Sequence, residues 1–211
     1  MDLNIFHIDA FVSESCKGST ACIIPLDNWL SDETLLQISL RNSVPETAFI
    51  IIKKNIILLR WFTPEIEMDL CGHATLAAAY CIIKELNYKT DKIIFETLSG
   101  KLEVRVKNNI YQLNFPARNP VQTTLPEIIK KAISIQPKFV LKSRDYILVY
   151  KNESDVQNIT VNQKILDKIN LGPGGVCVTS VGNNSDFVSR FFTPQSSILE
   201  DPVTGSAHCS L

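Results

Sequence analysis

Two distant segments of the chain repeat one pattern. Arg60-Trp61-Phe62-Thr63-Pro64 precedes Cys71-Gly72-His73-Ala74, and Arg190-Phe191-Phe192-Thr193-Pro194 precedes Thr204-Gly205-Ser206-Ala207. Four of the five positions in the R-aromatic-F-T-P stretch are identical, and each copy leads to a Gly followed by a polar side chain. Recurrence of this kind in a chain of 211 residues points to an internal duplication. The expected architecture is therefore two related half-domains, each bringing a helix N-terminus to one shared cleft. The polar stretch over 116–124, with Pro116 and Pro120, is the natural break, which predicts half-domains over 1–117 and 118–211.

The segment after the first Gly narrows the fold further. Residues 73–86 (HATLAAAYCIIKEL) are apolar on every side until Lys84. A helix without a polar face is a buried helix, so sheet is expected to wrap around it. Its first amides would then lie inside the protein and need an anion or a polar partner. Strands are expected over 3–7, 21–25, 48–53, 56–62, 93–97, 102–106 and 110–115 from their Ile, Val and aromatic content. Lys53-Lys54-Asn55, Ser99-Gly100 and Asn108-Asn109 are the candidate turns. Further helices are expected over 32–40 capped by Ser31, over 128–133 behind a Thr124…Glu127 capping box, and over 162–169 ending at Gly172. The class is α+β.

Composition excludes several functions. A net charge of −1 with no Lys/Arg grouping beyond a pair gives no footprint for nucleic acid. The N-terminus lacks a basic n-region and a long apolar h-region, and no apolar run reaches 18 residues, so neither a secretory signal nor a membrane span is expected. Six cysteines without a CxxC pair suit reduced thiols in a cytoplasmic protein, and no Cys/His spacing predicts structural zinc.

Several stretches resemble the phenazine-biosynthesis PhzF-like family, which has the diaminopimelate-epimerase fold. They are Ile8-Asp9-Ala10-Phe11, residues 44–49 (VPETAF), 59–64 (LRWFTP), 69–76 (DLCGHATL), 186–190 (DFVSR) and 200–208 (EDPVTGSAH). The resemblance implies two pseudo-symmetric β-rolls, each curled round a central helix. It also implies an isomerase that moves a proton on a small carboxylate-bearing substrate without metal or organic cofactor, and it favours a homodimer. Carried onto matching positions, Glu46, His73 and Asp201 are the catalytic residues, and Gly72, Gly205 and Ser206 bind the substrate. The chain departs from the family at Gly18-Ser19-Thr20-Ala21, where a Gly-Asn-Pro-Ala turn is usual, and in stopping at Leu211 directly after the second motif. The second half-domain is accordingly expected to be incomplete.

The chemistry follows from these positions. Moving a proton at carbon needs a tuned acid/base and a stabiliser for the developing negative charge. Glu46 stands in an apolar setting formed by Val44, Pro45, Ala48, Phe49 and Ile50. A positive helix end disfavours imidazolium, so His73 is expected to be neutral. Asp201 precedes Pro202 and is open to two readings, a site residue or a cap of the next turn; Ser206 is likewise a site residue or an N-cap. Related epimerases of this fold use two cysteines, one from each half. Here Cys71 has Thr204 as its counterpart, and a threonine hydroxyl is too weak an acid to match a thiol. One-base isomerisation by Glu46 is therefore favoured over a Cys71 epimerase, and a catalytically inactive binding module stands as the third alternative.

Overall fold

In the computed structural model, residues 3–14, 16–54, 56–196 and 198–211 are described. The chain divides into two units, Met1–Pro116 and Ala117–Leu211.

The first unit runs β1 (Phe6–Ala10), β2 (Ser19–Pro25), α1 (Asp32–Asn42), β3 (Glu46–Lys53), β4 (Ile56–Phe62), β5 (Glu67–Met68) and α2 (Gly72–Tyr80). It continues through a π-helical turn (Cys81–Glu85) to β6 (Lys92–Thr97), β7 (Gly100–Lys107) and β8 (Ile110–Asn114). One sheet has the order β1-β2-β3-β4-β6-β7-β8, with β5 added to β4. β2 and β3 are parallel because α1 makes the crossover between them.

β3 reads as a continuous apolar run because both its faces are covered. Phe49 and Ile51 pack with Leu35 of α1, while Ala48 and Ile50 point the other way at the period-2 alternation of a strand. α2 packs against β1, β2 and β3 and also against β8 at the opposite end of the sheet order, so the sheet curls around it. Apart from half-buried Leu76 and exposed Tyr80, every residue of α2 is buried, as an all-apolar helix requires.

Local signals in this unit are largely realised. Ser31 caps α1, its hydroxyl accepting from the Thr34 amide at 3.3 Å. Asn108 and Asn109 both have positive φ (52° and 61°), the conformation of a type I′ hairpin turn. The Lys53-Lys54-Asn55 turn includes Asn55, which lies outside the described residues. The helix expected over 73–86 is α-helical only to Tyr80; then Leu86 N–H reaches back five residues to Cys81 O at 2.9 Å.

The second unit runs β9 (Val121–Gln122), α3 (Glu127–Ala132), β10 (Phe139–Lys142), β11 (Tyr146–Val149), α4 (Glu153–Asn158) and α5 (Gln163–Leu166). β12 (Val176–Val181), β13 (Phe187–Phe192), β14 (Glu200–Asp201) and a 3₁₀ turn (Gly205–Cys209) complete it. Its sheet has the order β14-β13-β12-β11-β10-β9. Val176, Val178, Leu148 and Phe192 face the helices, burying Ile129 of α3, Val156 of α4 and Leu166 of α5. The alternate residues Ile147, Cys177 and Phe191 form a smaller cluster on the other face with Ala207 of the 3₁₀ turn. The Thr124…Glu127 capping box does not form. Pro126 is the N-cap of α3, which sets Thr124 two positions too early to reach the third amide of the helix.

The duplication is visible in strand register. In the first unit Cys22 pairs with Thr47, Thr47 with Phe62 and Phe62 with Glu67. In the second, Tyr146 pairs with Val176, Val176 with Phe192 and Phe192 with Glu200. The repeated arginines do the same work in both. Arg60 makes a two-pronged pair with Glu67 (2.7 and 2.6 Å), and Arg190 makes one with Glu200 (2.7 and 2.7 Å). Each thereby locks a two-residue strand to its neighbour. Each guanidinium also covers the next-but-one Phe of its own motif, Phe62 at 5.1 Å and Phe192 at 5.0 Å. Among the described residues no helix is long and apolar enough to cross a membrane.

Candidate active site

Sheet register places Glu46 at the first position of β3, beside Ala21 of β2, where the strand emerges from the parallel crossover. Cys71 is the N-cap of α2, and Gly72 and His73 are that helix's first two residues. Thr75 secures this end of the helix by donating both its amide and its hydroxyl to Cys71 O.

These positions bring two predicted residues together. His73 Nε2 lies 3.0 Å from Glu46 Oε2, although the two are not aligned as a hydrogen bond. On the opposite edge of the ring, Cys71 Sγ lies 3.6 Å from His73 Nδ1. Glu46 keeps 17% of its side chain exposed against 6% for His73, so the carboxylate is the member of the pair open to a substrate.

Burial opposes a charge on His73, but Cys71 and Glu46 at its two nitrogens outweigh it and raise its pKa above the ordinary imidazole value. Burial likewise raises the pKa of Cys71, against the pull of His73, and holds it as a thiol. The neutral imidazole expected from the helix end is opposed by these two neighbours, Cys71 and Glu46, which raise the pKa of His73 against the field of the helix terminus.

Glu46, Cys71 and His73 are also a group of metal-ligating types, with ligand atoms all within 4.8 Å. Cys71 and Glu46, however, address opposite ring nitrogens, and an imidazole hands one nitrogen to one ion. The arrangement suits a proton relay better than a metal centre.

In the second unit Asp201 ends β14, and its carboxylate is engaged in the turn that follows. It accepts from the Val203 amide at 3.1 Å and from the Thr204 hydroxyl at 2.5 Å. These are the bonds of the turn-capping reading. Gly205 and Ser206 open the 3₁₀ turn, the counterpart of the start of α2. The Ser206 hydroxyl accepts a hydrogen bond from Arg144 Nη2 at 2.7 Å. Arg144, which the sequence reading passed over, is in turn held by Asp145, a fully buried carboxylate. Its signal was present as a charged pair immediately before the apolar strand Tyr146–Val149. Glu46, Gly72 and His73 therefore belong to the first unit, and Asp201, Gly205 and Ser206 to the second.

Residues 8–211 match the family described as phenazine biosynthesis-like protein. An uncharacterised isomerase of Pseudomonas aeruginosa is 41% identical over 211 residues, which cover 100% of this chain and 81% of that protein. The human phenazine biosynthesis-like domain-containing protein is 32% identical, over 100% of this chain and 82% of its own. The crystal structure of a PhzF-family phenazine biosynthesis protein from Enterococcus faecalis superposes with a TM-score of 0.88 at 38% identity, covering 100% of this chain and 80% of that one. A predicted epimerase of Pseudomonas aeruginosa, at 17% identity and a TM-score of 0.65, shares the fold; the match covers 98% of this chain and 79% of that one.

Proposed function

The chain belongs to the phenazine biosynthesis-like protein family and is an isomerase, and on that premise we propose that Glu46 moves a proton between carbons of a small, carboxylate-bearing substrate. The observation that carries the proposal is the Glu46–His73 pair, a mostly buried acid that keeps some exposure beside a buried imidazole that can share its proton. In the forward step the Glu46 carboxylate takes a proton from a carbon next to an unsaturated bond, and the electron pair of the C–H bond moves into that system. The same carboxyl then returns the proton to the far carbon of the original double bond, which leaves the double bond shifted by one position. Composition is unchanged, so no oxidant or reductant is needed.

The remaining predicted residues have supporting roles in this scheme. His73 orients Glu46 and donates toward the negative charge that develops as the C–H bond breaks. In the first unit the Gly72 amide is a substrate-binding group; in the second the Gly205 amide and the Ser206 hydroxyl suit a substrate carboxylate, and Asp201 shapes the turn that presents Gly205. Register supports a single base: the position that corresponds to Glu46 in the second unit is Gly175, one residue before Val176. A side chain there is excluded, because a Cβ on Gly175 would meet the Phe191 ring at 2.4 Å.

Replacing Glu46 with Gln tests the assignment. Turnover is expected to disappear while binding persists, and full activity in E46Q would overturn it.

Thiol-based epimerisation by Cys71 is a second reading, favoured by its 3.6 Å approach to His73. The raised pKa of that thiol and the Thr204 counterpart weigh against it.

A further inference from the structure

The duplicated Gly-polar motif is served by opposite charges in the two units. In the first, the residue after Gly72 is His73, and its partner is the carboxylate of Glu46 at 3.0 Å. In the second, the residue after Gly205 is Ser206, and its partner is the guanidinium of Arg144 at 2.7 Å. We infer that Arg144 is the residue that makes this isomerase select an anionic, carboxylate-bearing substrate, by fixing Ser206 as a hydrogen-bond donor and placing positive charge directly behind it. The inference rests on the proposed role of Gly205 and Ser206 in binding the substrate carboxylate.

A serine hydroxyl has one proton to donate and lone pairs to accept with. Arg144 has only protons to offer, so its bond to Ser206 Oγ must be received by oxygen. The serine proton is thereby turned away from Arg144 and is left to donate elsewhere. A carboxylate is the complementary acceptor, because it carries lone pairs only and its charge strengthens the bond.

Asp145 explains how a charged residue is kept at this spot. It is fully buried, it bonds Arg144 Nε and Nη2 at 3.2 and 3.1 Å, and it accepts the Gly175 amide at 2.9 Å. The pair is neutral in sum but oriented, with the carboxylate anchored at Gly175 and the guanidinium toward Ser206. Its positive end is therefore the end that meets the motif. A second stitch, Ser143 Oγ to Ser210 Oγ at 2.7 Å, ties the same bend to the far end of the 3₁₀ turn. The turn that carries Ser206 is thus held near both its ends by neighbouring residues of one bend. Lysine at position 144 could not reproduce the fork that spans both Asp145 oxygens and Ser206.

The test compares an acid with its neutral isostere on the full chain. Cyclohex-1-ene-1-carboxylate and the matching carboxamide are titrated while the backbone amide signals of Gly205 and Ser206 are followed by NMR. The unaltered chain is expected to bind the acid about tenfold more tightly than the amide, the scale of one charge-assisted hydrogen bond. Arg144→Gln combined with Asp145→Asn removes both charges together, so the fold is not left with an orphaned buried carboxylate. In that double variant the preference for acid over amide is expected to vanish. Weakened binding of both compounds in equal measure would indicate a merely structural role and overturn the inference. So would an undiminished preference for the acid. Arg144→Lys supplies a second reading should the double variant fail to fold: weaker binding of the acid is expected, and unchanged binding contradicts the inference. If instead the unaltered chain shows no response at Gly205 and Ser206 to the acid, the proposed binding role of those residues falls, and this inference falls with it.

Discussion

Glu46 Oε2 and His73 Nε2 stand 3.0 Å apart, linking the first residue of β3 to the second residue of α2. A strand start and a helix start are both places where backbone groups are not fully used by secondary structure. The sheet curls round α2, so the register of β3 carries Glu46 to the helix N-terminus. A packing arrangement thus sets a chemical one.

The pair has a consequence for stability. The pKa of His73 is raised in the folded chain above its ordinary value of 6.5. A raised pKa means that the folded state binds the proton more tightly, so the stabilisation is full below pH 6.5 and is lost as pH rises through the folded value. The melting-temperature gap between the unaltered chain and His73→Gln is therefore expected to be widest in acid and to narrow on the alkaline side. A gap that widens with rising pH would contradict the charged form of His73.

Cys71 separates one-base from thiol chemistry. Cys71→Ala is expected to keep turnover within a few-fold and to cost about 1 kcal/mol for a small buried group. Steady-state rates and a urea melt check both parts. Loss of activity on the scale expected for deleting an acid/base, roughly a hundredfold or more, would favour the epimerase reading.

The arginine clamps are testable as structure. Arg60→Lys retains charge but loses the two-pronged bond to Glu67, and about 1–2 kcal/mol of stability should go with it. Urea unfolding followed by the fluorescence of Trp29 and Trp61 reports the change. An unmoved midpoint would show that the clamp contributes little.

Much of this was legible in the sequence, and the exceptions have physical causes. The strand Ile56–Phe62 was anticipated to the residue, because a β-branched and aromatic run between turn residues has few alternatives. The duplicated motif was legible because arginine, aromatic and threonine each hold a fixed place in a strand pair, so both copies retain them. The end of the α-helix at Tyr80 was not legible. Residues 81–83 are as apolar as what precedes them, so the sequence carries no mark of the π turn, in which Cys81 and Ile82 are buried. The parallel pair β11 and β12 was missed too, since parallel partners lie far apart in sequence and four-residue runs such as Tyr146–Val149 carry little periodicity.

At the site, Glu46 and His73 were named together because each lay in a recognisable motif, and the structure sets them in contact. Arg144 lay in no motif. It gains its place from the tertiary packing that lays the 143–145 bend against the 3₁₀ turn, over 60 residues away.

Gly175 gives a further check on why the second unit has no matching acid. Gly175→Ala would press a Cβ onto the Phe191 ring and onto Phe192 O at 2.7 Å, and should destabilise the chain by roughly 1–3 kcal/mol. A urea midpoint unchanged in G175A would mean that the position is open, and the argument for a single base would lose that support.

The central claim is that Glu46 exchanges a proton with carbon. Its most direct test is solvent deuterium incorporation into small unsaturated carboxylates, cyclohex-2-ene-1-carboxylate among them, followed by proton NMR with the unaltered chain and with E46Q. Incorporation by the unaltered chain is expected, with a fall of about a hundredfold or more in E46Q and binding of the acid retained. Exchange at an undiminished rate in E46Q would contradict it.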